Sequence, residues 1–333
     1  MTGQGSQMLG HQKTADVRRM VLSAVLTMLP VLTYGALQAY LTIGLPQLLE
    51  ENPTGILLDL NKMSWISMQF VSYYIVDDVK REITISVSAS MPTRIIGLFS
   101  SGFISDKLGR KKCLIVSSIL QIASSCSAYF CSSFPALLTA VALSNLFSCM
   151  VQVPSYSLLS EICLITYRGH LASLNTFNSN CGWLLGLSLG LVVPVQYFYF
   201  SLCFPSLIFL LLCWRLPESP VWLMRKGNEK GAREILQWLR GDDYDVTPEI
   251  DELKDVINDE ILENEERSSW DVLTSRSFLL PLVLTCSLFV FQANCGIDLT
   301  SYYISVIFKE SSVKPQQIAI LFQVIIKTLI FVG

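Results

Sequence analysis

Residues 113–160 read CLIVSSILQIASSCSAYFCSSFPALLTAVALSNLFSCMVQVPSYSLLS, 48 consecutive residues without an Asp, Glu, Lys or Arg. A helix needs about 20 apolar residues to cross the roughly 30 Å hydrocarbon core of a bilayer, so this run fits two crossings and a turn. The turn falls near Ser132–Pro135, where small polar residues precede a proline. Stretches 20–49 and 169–214 are equally free of charge. Charge is concentrated elsewhere: residues 215–276 hold 25 of the 51 charged side chains, 9 basic and 16 acidic. Charged residues make up 15% of the 333, against about 25% in a soluble average domain, and the mean hydropathy is +0.48. This is the composition of an all-α polytopic membrane protein. A water-soluble enzyme is excluded.

The charges flanking the runs set their direction. A first span over Met20–Leu45 follows Arg18 and Arg19 and precedes Glu50, Glu51 and Asp59. The positive-inside rule therefore puts residues 1–19 in the cytoplasm. The return span ends at Lys107, Arg110, Lys111 and Lys112. The chain then crosses out and back to Glu161 and Arg168. A second hairpin over 171–214 turns near Pro194–Tyr197 and ends at Arg215. Six spans thus occupy 20–214. A cytoplasmic connector, 215–276, follows with helix-compatible patterning over 228–240 and 249–266. A seventh span over about Phe278–Phe308 and an eighth from Gln317 fill 277–333.

Metal and cofactor chemistry finds no residue pattern here. Most of the ten cysteines lie in apolar runs, as Cys126, Cys149, Cys203 and Cys213 do, and read as small hydrophobes. His11 and His170 are too few and too far apart for a metal site. A net charge of −3 with no aromatic-interleaved basic stripe argues against a nucleic-acid partner. The partner the composition requires is the lipid bilayer.

Three motifs follow in order. Between spans two and three stands Gly102-Phe-Ile-Ser-Asp106-Lys107-Leu-Gly109-Arg110-Lys111-Lys112. Gly102 would permit close helix approach and Gly109 a very short turn. Asp106 would find cations or a helix N-terminus as partners. Glu161 and Arg168 lie seven apart with Gly169 next. Pro217-Glu218-Ser219-Pro220-Val221-Trp222-Leu223 suits a helix stop and restart.

Six helices, a charged connector and the start of a second set resemble the plan of the major facilitator superfamily, in which two six-helix halves rock about a central site. In order and spacing the three motifs resemble the sugar-porter signatures, although Val221 stands where an Arg is usual. Gln237-Trp238-Leu239-Arg240-Gly241, with Asp245-Val246 and Glu249, resembles the connector of insect-type facilitated trehalose transporters. Thr176, Phe177, Asn178, Asn180 and Gly182 in span five, and Ala39-Tyr40 in span one, fit the same resemblance. Two departures stand out. Span four carries neither Arg nor Gly over 136–160, with Asn145, Cys149 and Val153 near the glycine positions. Span seven reads Gln292-Ala293-Asn294-Cys295-Gly296-Ile297-Asp298, with Ala for the second Gln and Asp for the Asn.

The resemblance implies facilitated transport of a trehalose- or glucose-type sugar by alternating access, at the plasma membrane, without a cofactor and without enzymatic chemistry. Gln292, Asp298 and Tyr303 on span seven would be offered to the sugar, with Thr176 and Asn180 facing them from span five. For the last two, ordinary interhelical hydrogen bonding is the competing reading, and Gln38 in span one is a weaker candidate. Gly102, Asp106, Gly109, Arg110, Lys111, Glu161, Arg168 and Glu218 would form the signature loop and the charge clusters that latch the two halves. Asp298, an acid deep in a span, leaves a proton-coupled symporter open. The absence of an acid in 20–49 favours passive transport.

Trp65 and Asp106 are 41 residues apart, about twice the family spacing, and Tyr73–Glu82 between them carries five charges. Residues 71–89 therefore read as an insertion, from a short intron retained in frame. A real outer loop is the alternative, with 83–104 forming span two alone. Arg94 falls mid-span. The resemblance covers the first two-thirds of a family member, so a chain ending at Gly333 would lack most of the second half and would not transport. A non-transporting product is the alternative function.

Overall fold

The computed structural model describes residues 17–50, 90–131, 134–164, 168–193, 195–266 and 274–294. The expected insertion 71–89, the eighth span, Asp298 and Tyr303 lie outside the described residues. All regular structure among those described is helical. It divides into two compact units.

The larger unit runs from Leu22 to Glu218. It contains most of α1 (Val17–Glu50), then α2 (Ser90–Leu108), α3 (Arg110–Phe130), α4 (Phe134–Ile162), α5 (Arg168–Val192), α6 (Val195–Ser201) and α7 (Cys203–Leu212). Three stretches among the described residues are long and apolar enough to cross a membrane: Arg18–Gln38, Arg110–Phe130 and Tyr197–Arg215. The last covers α6 and α7, which part at Leu202. Pro205 explains the break, because it has no N–H to offer the Ser201 carbonyl. At one end of these helices Tyr129 meets Phe130, Tyr197 and Phe200. At the other, Arg215 lies over the Trp214 ring. Amphipathic rings at both ends suit the two membrane–water interfaces.

Apolar side chains gain little by leaving lipid for each other, so small residues and polar bonds must hold such helices together. The unit is built that way. Cβ atoms added at Gly35 or Gly182 would run into the backbone at Ser179 and Leu32, so α1 and α5 touch main chain to main chain. Asn178 Nδ2 fastens the same pair by donating to the Met28 carbonyl at 2.6 Å. Ala140, Ser144 and Ser148, spaced four apart on α4, are buried. Ser144 donates to Ser124 of α3 and Gln121 of α3 donates to Ser148. Gln121 also accepts from Ser206 of α7, which bonds Thr33 of α1. One buried polar chain thus links four helices.

This arrangement accounts for the missing glycines of α4. The small stripe uses Ala and Ser, and on the α2 side the close approach is made by Gly97, whose added Cβ would sit 2.6 Å from the Leu146 carbonyl oxygen. Gly102 does not play the part expected of it. Nothing lies within 4 Å of a Cβ placed there, so among the described residues it makes no close helix contact.

The second unit comprises the first turn of α1 with α8 (Pro220–Arg225), α9 (Glu229–Arg240), α10 (Thr247–Glu266) and α11 (Arg276–Asn294). Ser219 caps α8 by accepting from the Trp222 N–H at 3.0 Å, with Pro220 at its first position. Asn228 caps α9 in the same way through Gly231. A small core of Ala232, Leu236, Val246 and Ile250 joins α9 to α10. On α11 every described side chain from Arg276 to Phe291 is exposed.

Candidate functional site

The signature loop is a single residue. α2 ends at Leu108 and α3 starts at Arg110, with Gly109 between them at φ +100° and ψ 160°. Only glycine occupies that region without strain. A side chain would also collide with Glu218, whose Oε2 lies 2.5 Å from the Cβ position. Glu218 is held there because its Oε1 accepts from the Lys111 amide at 2.9 Å. That amide is one of the unpaired N–H groups at the start of α3, where the helix dipole also favours an anion.

Arg110 is the centre of the loop's charge. Its side chain is 6% exposed. Nε and Nη2 reach Glu161 Oε1 at 3.2 and 3.1 Å, while Nη1 reaches Asp106 Oδ1 at 3.2 Å and the Ser105 carbonyl at 3.3 Å. The two acids differ: Glu161 is 15% exposed and Asp106 70%. Glu161 sits at the end of α4, where the helix dipole repels an acid, so Arg110 is what holds it. Glu161 Oε2 has no hydrogen-bond partner among the described residues. Arg168 opens α5; its side chain is not among those described.

The five expected substrate residues are only partly in view. Thr176 is exposed on α5, and its hydroxyl meets the Tyr156 hydroxyl of α4 at 3.2 Å. Asn180, one turn further, is half-buried. Gln292 belongs to α11, without a described side chain, and Asp298 and Tyr303 lie outside the described residues. Gln38 is 4% exposed, which fits packing inside the bundle. Two further groups were not assigned from the sequence. Tyr156 carried no signal in an apolar run. Arg94 did, as a cation in mid-span, and its Nη2 donates to Tyr34 Oη at 2.7 Å.

The connector motif also acquires a physical account. Gln237 Nε2 donates to the carbonyls of Gly241 and Tyr244 and holds the turn. Arg19 donates to the Trp238 carbonyl at 3.0 Å and lies 5.6 Å from the centre of its ring. Leu239 is buried, and the buried Arg240 forms a two-pronged pair with Glu249 at 2.6 and 3.1 Å. Gly241 ends α9 at φ +96°.

A family model described as "Sugar (and other) transporter" matches residues 58–333. The chain belongs to that family. Among its relatives, the facilitated trehalose transporter Tret1 of Polypedilum vanderplanki is 31% identical over 223 residues, covering 65% of this chain and 43% of that one. The glucose transporter GlcP of Staphylococcus epidermidis is 29% identical over 233 residues, 68% of this chain and 50% of that one. The chain spans about half the length of the curated relatives it matches. Of solved structures, the partially occluded inward-open xylose transporter XylE from E. coli aligns with a TM-score of 0.65 at 18% identity, over 94% of this chain and 71% of that one. XylE bound to 6-bromo-6-deoxy-D-glucose, described as a major facilitator superfamily proton:xylose symporter, aligns at 0.68 and 20% identity, over 94% and 67%. The fold is that of the major facilitators.

Proposed function

We propose that this chain serves facilitated transport of a trehalose- or glucose-type sugar, working by alternating access in the full-length protein. The observation that carries this is the polar face on which exposed Thr176 meets Tyr156, in a chain of the sugar-transporter family. Hydroxyls and amides that donate and accept in fixed directions suit the hydroxyls of a sugar. Thr176 and Asn180 contribute from span five; Gln292, Asp298 and Tyr303 contribute from span seven. Gly109, Lys111 and Glu218 shape the signature loop, with Gly102 on its approach. Asp106, Arg110, Glu161 and Arg168 form the charge cluster that couples the halves. The bilayer is the plasma membrane and residues 1–19 are cytoplasmic, an orientation supported by Arg18, Arg19 and the basic run Lys107–Lys112.

The test is uptake of labelled trehalose and glucose into proteoliposomes holding the full-length protein. Saturable uptake is expected, and Gln292→Ala should raise the half-saturation concentration about tenfold, as loss of one or two buried polar bonds would. A folded protein with no saturable flux of either sugar refutes the proposal. Accumulation against a gradient that collapses with a protonophore would select proton coupling through Asp298.

A further inference from the structure

Arg94 lies on α2, thirteen residues before Lys107, or about 20 Å along the helix axis. As the second span expected from the sequence, α2 would carry that position into the bilayer, where a cation is expensive and marks function by default. Gly97, one turn on, presses α2 against α4 and fixes where Arg94 stands. The guanidinium is half-buried, donates to Tyr34 Oη of α1 at 2.7 Å and stands beside the Cys149 thiol of α4. Tyr156, within electrostatic reach of Tyr34, bonds Thr176 at 3.2 Å. Arg94 is thus bonded to one phenol, Tyr34, and that phenol lies near a second, Tyr156, whose partner Thr176 is assigned to the sugar.

We propose that Arg94 and Tyr34 form an anion subsite in the sugar path, one that takes a sugar bearing a carboxylate, an aldonic or uronic acid. The inference rests on the sugar-transport proposal and deepens it. A neutral sugar needs neutral donors and acceptors, which Thr176, Asn180 and Tyr156 already offer. A guanidinium adds a planar fork of N–H groups whose spacing matches the two oxygens of a carboxylate. The Tyr34 oxygen accepts from Arg94, which turns the phenol's own O–H into a second donor for the same anion. Charge-assisted bonds of this kind are the strong ones, and a water-poor setting strengthens them.

The experiment uses full-length protein in proteoliposomes, with labelled glucose and labelled glucuronate measured side by side. The wild type should carry glucuronate or be competitively inhibited by it. In Arg94→Gln the preference for glucuronate over glucose, read as the ratio of half-saturation or inhibition constants, should fall at least tenfold. Arg94→Lys, which keeps the charge and loses the fork, should fall between. Tyr34→Phe should lower the same ratio about threefold to tenfold. Size-exclusion profiles confirm that each variant is folded. Glucose uptake with no response to glucuronate in the wild type overturns the subsite while leaving sugar transport standing. Failure of glucose, glucuronate and trehalose alike in folded protein overturns the transport proposal and the subsite together. Equal loss of both sugars in Arg94→Gln, restored by adding Asp298→Asn, would reassign Arg94 to an ion pair with span seven and overturn the subsite.

Discussion

Glu161 and Asp106 both contact Arg110 at nearly the same distance, yet their removal should have very different effects. Glu161→Ala takes away the shielded partner and leaves a guanidinium that is 6% exposed with, among the described residues, the solvent-washed Asp106 and one carbonyl. Breaking a buried pair from one side costs about 3–5 kcal/mol, because a charge stays behind without compensation. Asp106 is 70% exposed, and an exposed pair is worth about 0–1 kcal/mol. With an unfolding entropy of about 2.1 cal/mol/K per residue over 333 residues, 3–5 kcal/mol corresponds to roughly 4–7 °C. Asp106→Asn should move the midpoint by about one degree on the same scale. Glu161→Gln should fall between, since the amide oxygen can still accept one bond. Thermal unfolding in detergent, followed by the size-exclusion peak of the remaining folded protein, reads all three. Equal shifts for Asp106→Asn and Glu161→Ala would refute the burial argument, as would no shift in Glu161→Ala.

Gly109→Ala should destabilise the chain by about 1–3 kcal/mol from backbone strain alone, and more if Glu218 cannot move aside; a midpoint within one degree of wild type would show that the one-residue loop relaxes freely. Gly182→Leu should fail to give a monodisperse peak, because its side chain would have to occupy the Leu32 backbone, whereas Gly102→Ala, with open space around its Cβ, should behave as wild type in the same chromatogram. In the connector, Lys254 holds the Glu229 carboxyl below its ordinary value of 4.5, and the Thr247 amide does the same for Asp245 below 3.8. Both groups therefore bind protons more weakly folded than unfolded. Their contribution is full above the ordinary values and disappears as the pH falls through the lowered ones. Tryptophan fluorescence or amide exchange of the connector should show it loosening below about pH 4, and Glu229→Gln should flatten part of that response.

The helical membrane architecture was legible in the chain because lipid tolerates so few solutions. A charge-free run of 48 residues must bury its backbone polar groups in helices, and the flanking charges mark where each helix leaves the bilayer. Gly109 was legible for a similar reason: a loop squeezed between Leu108 and Arg110 needs a backbone that only glycine adopts. Arg240 and Glu249 could be quoted as part of a resemblance, but a nine-residue spacing does not say that one is buried and the other grips it. Partnership between distant residues depends on how helices rotate and cross. Span four reads as stripped of the family's glycines, and only its packing revealed that Ala140, Ser144 and Ser148 do their work while Gly97 lends the close approach from α2. Gly102 showed the reverse, a signature glycine with no described residue pressed against it. The same holds for Arg94. Along the chain it is a misplaced charge in an apolar helix, and it becomes a candidate anion-binding group only when α1 brings Tyr34 to 2.7 Å. Periodicity and charge tell which segments enter the membrane; which side chains meet inside it is decided by packing, because contact is set by three-dimensional proximity and not by position in the chain.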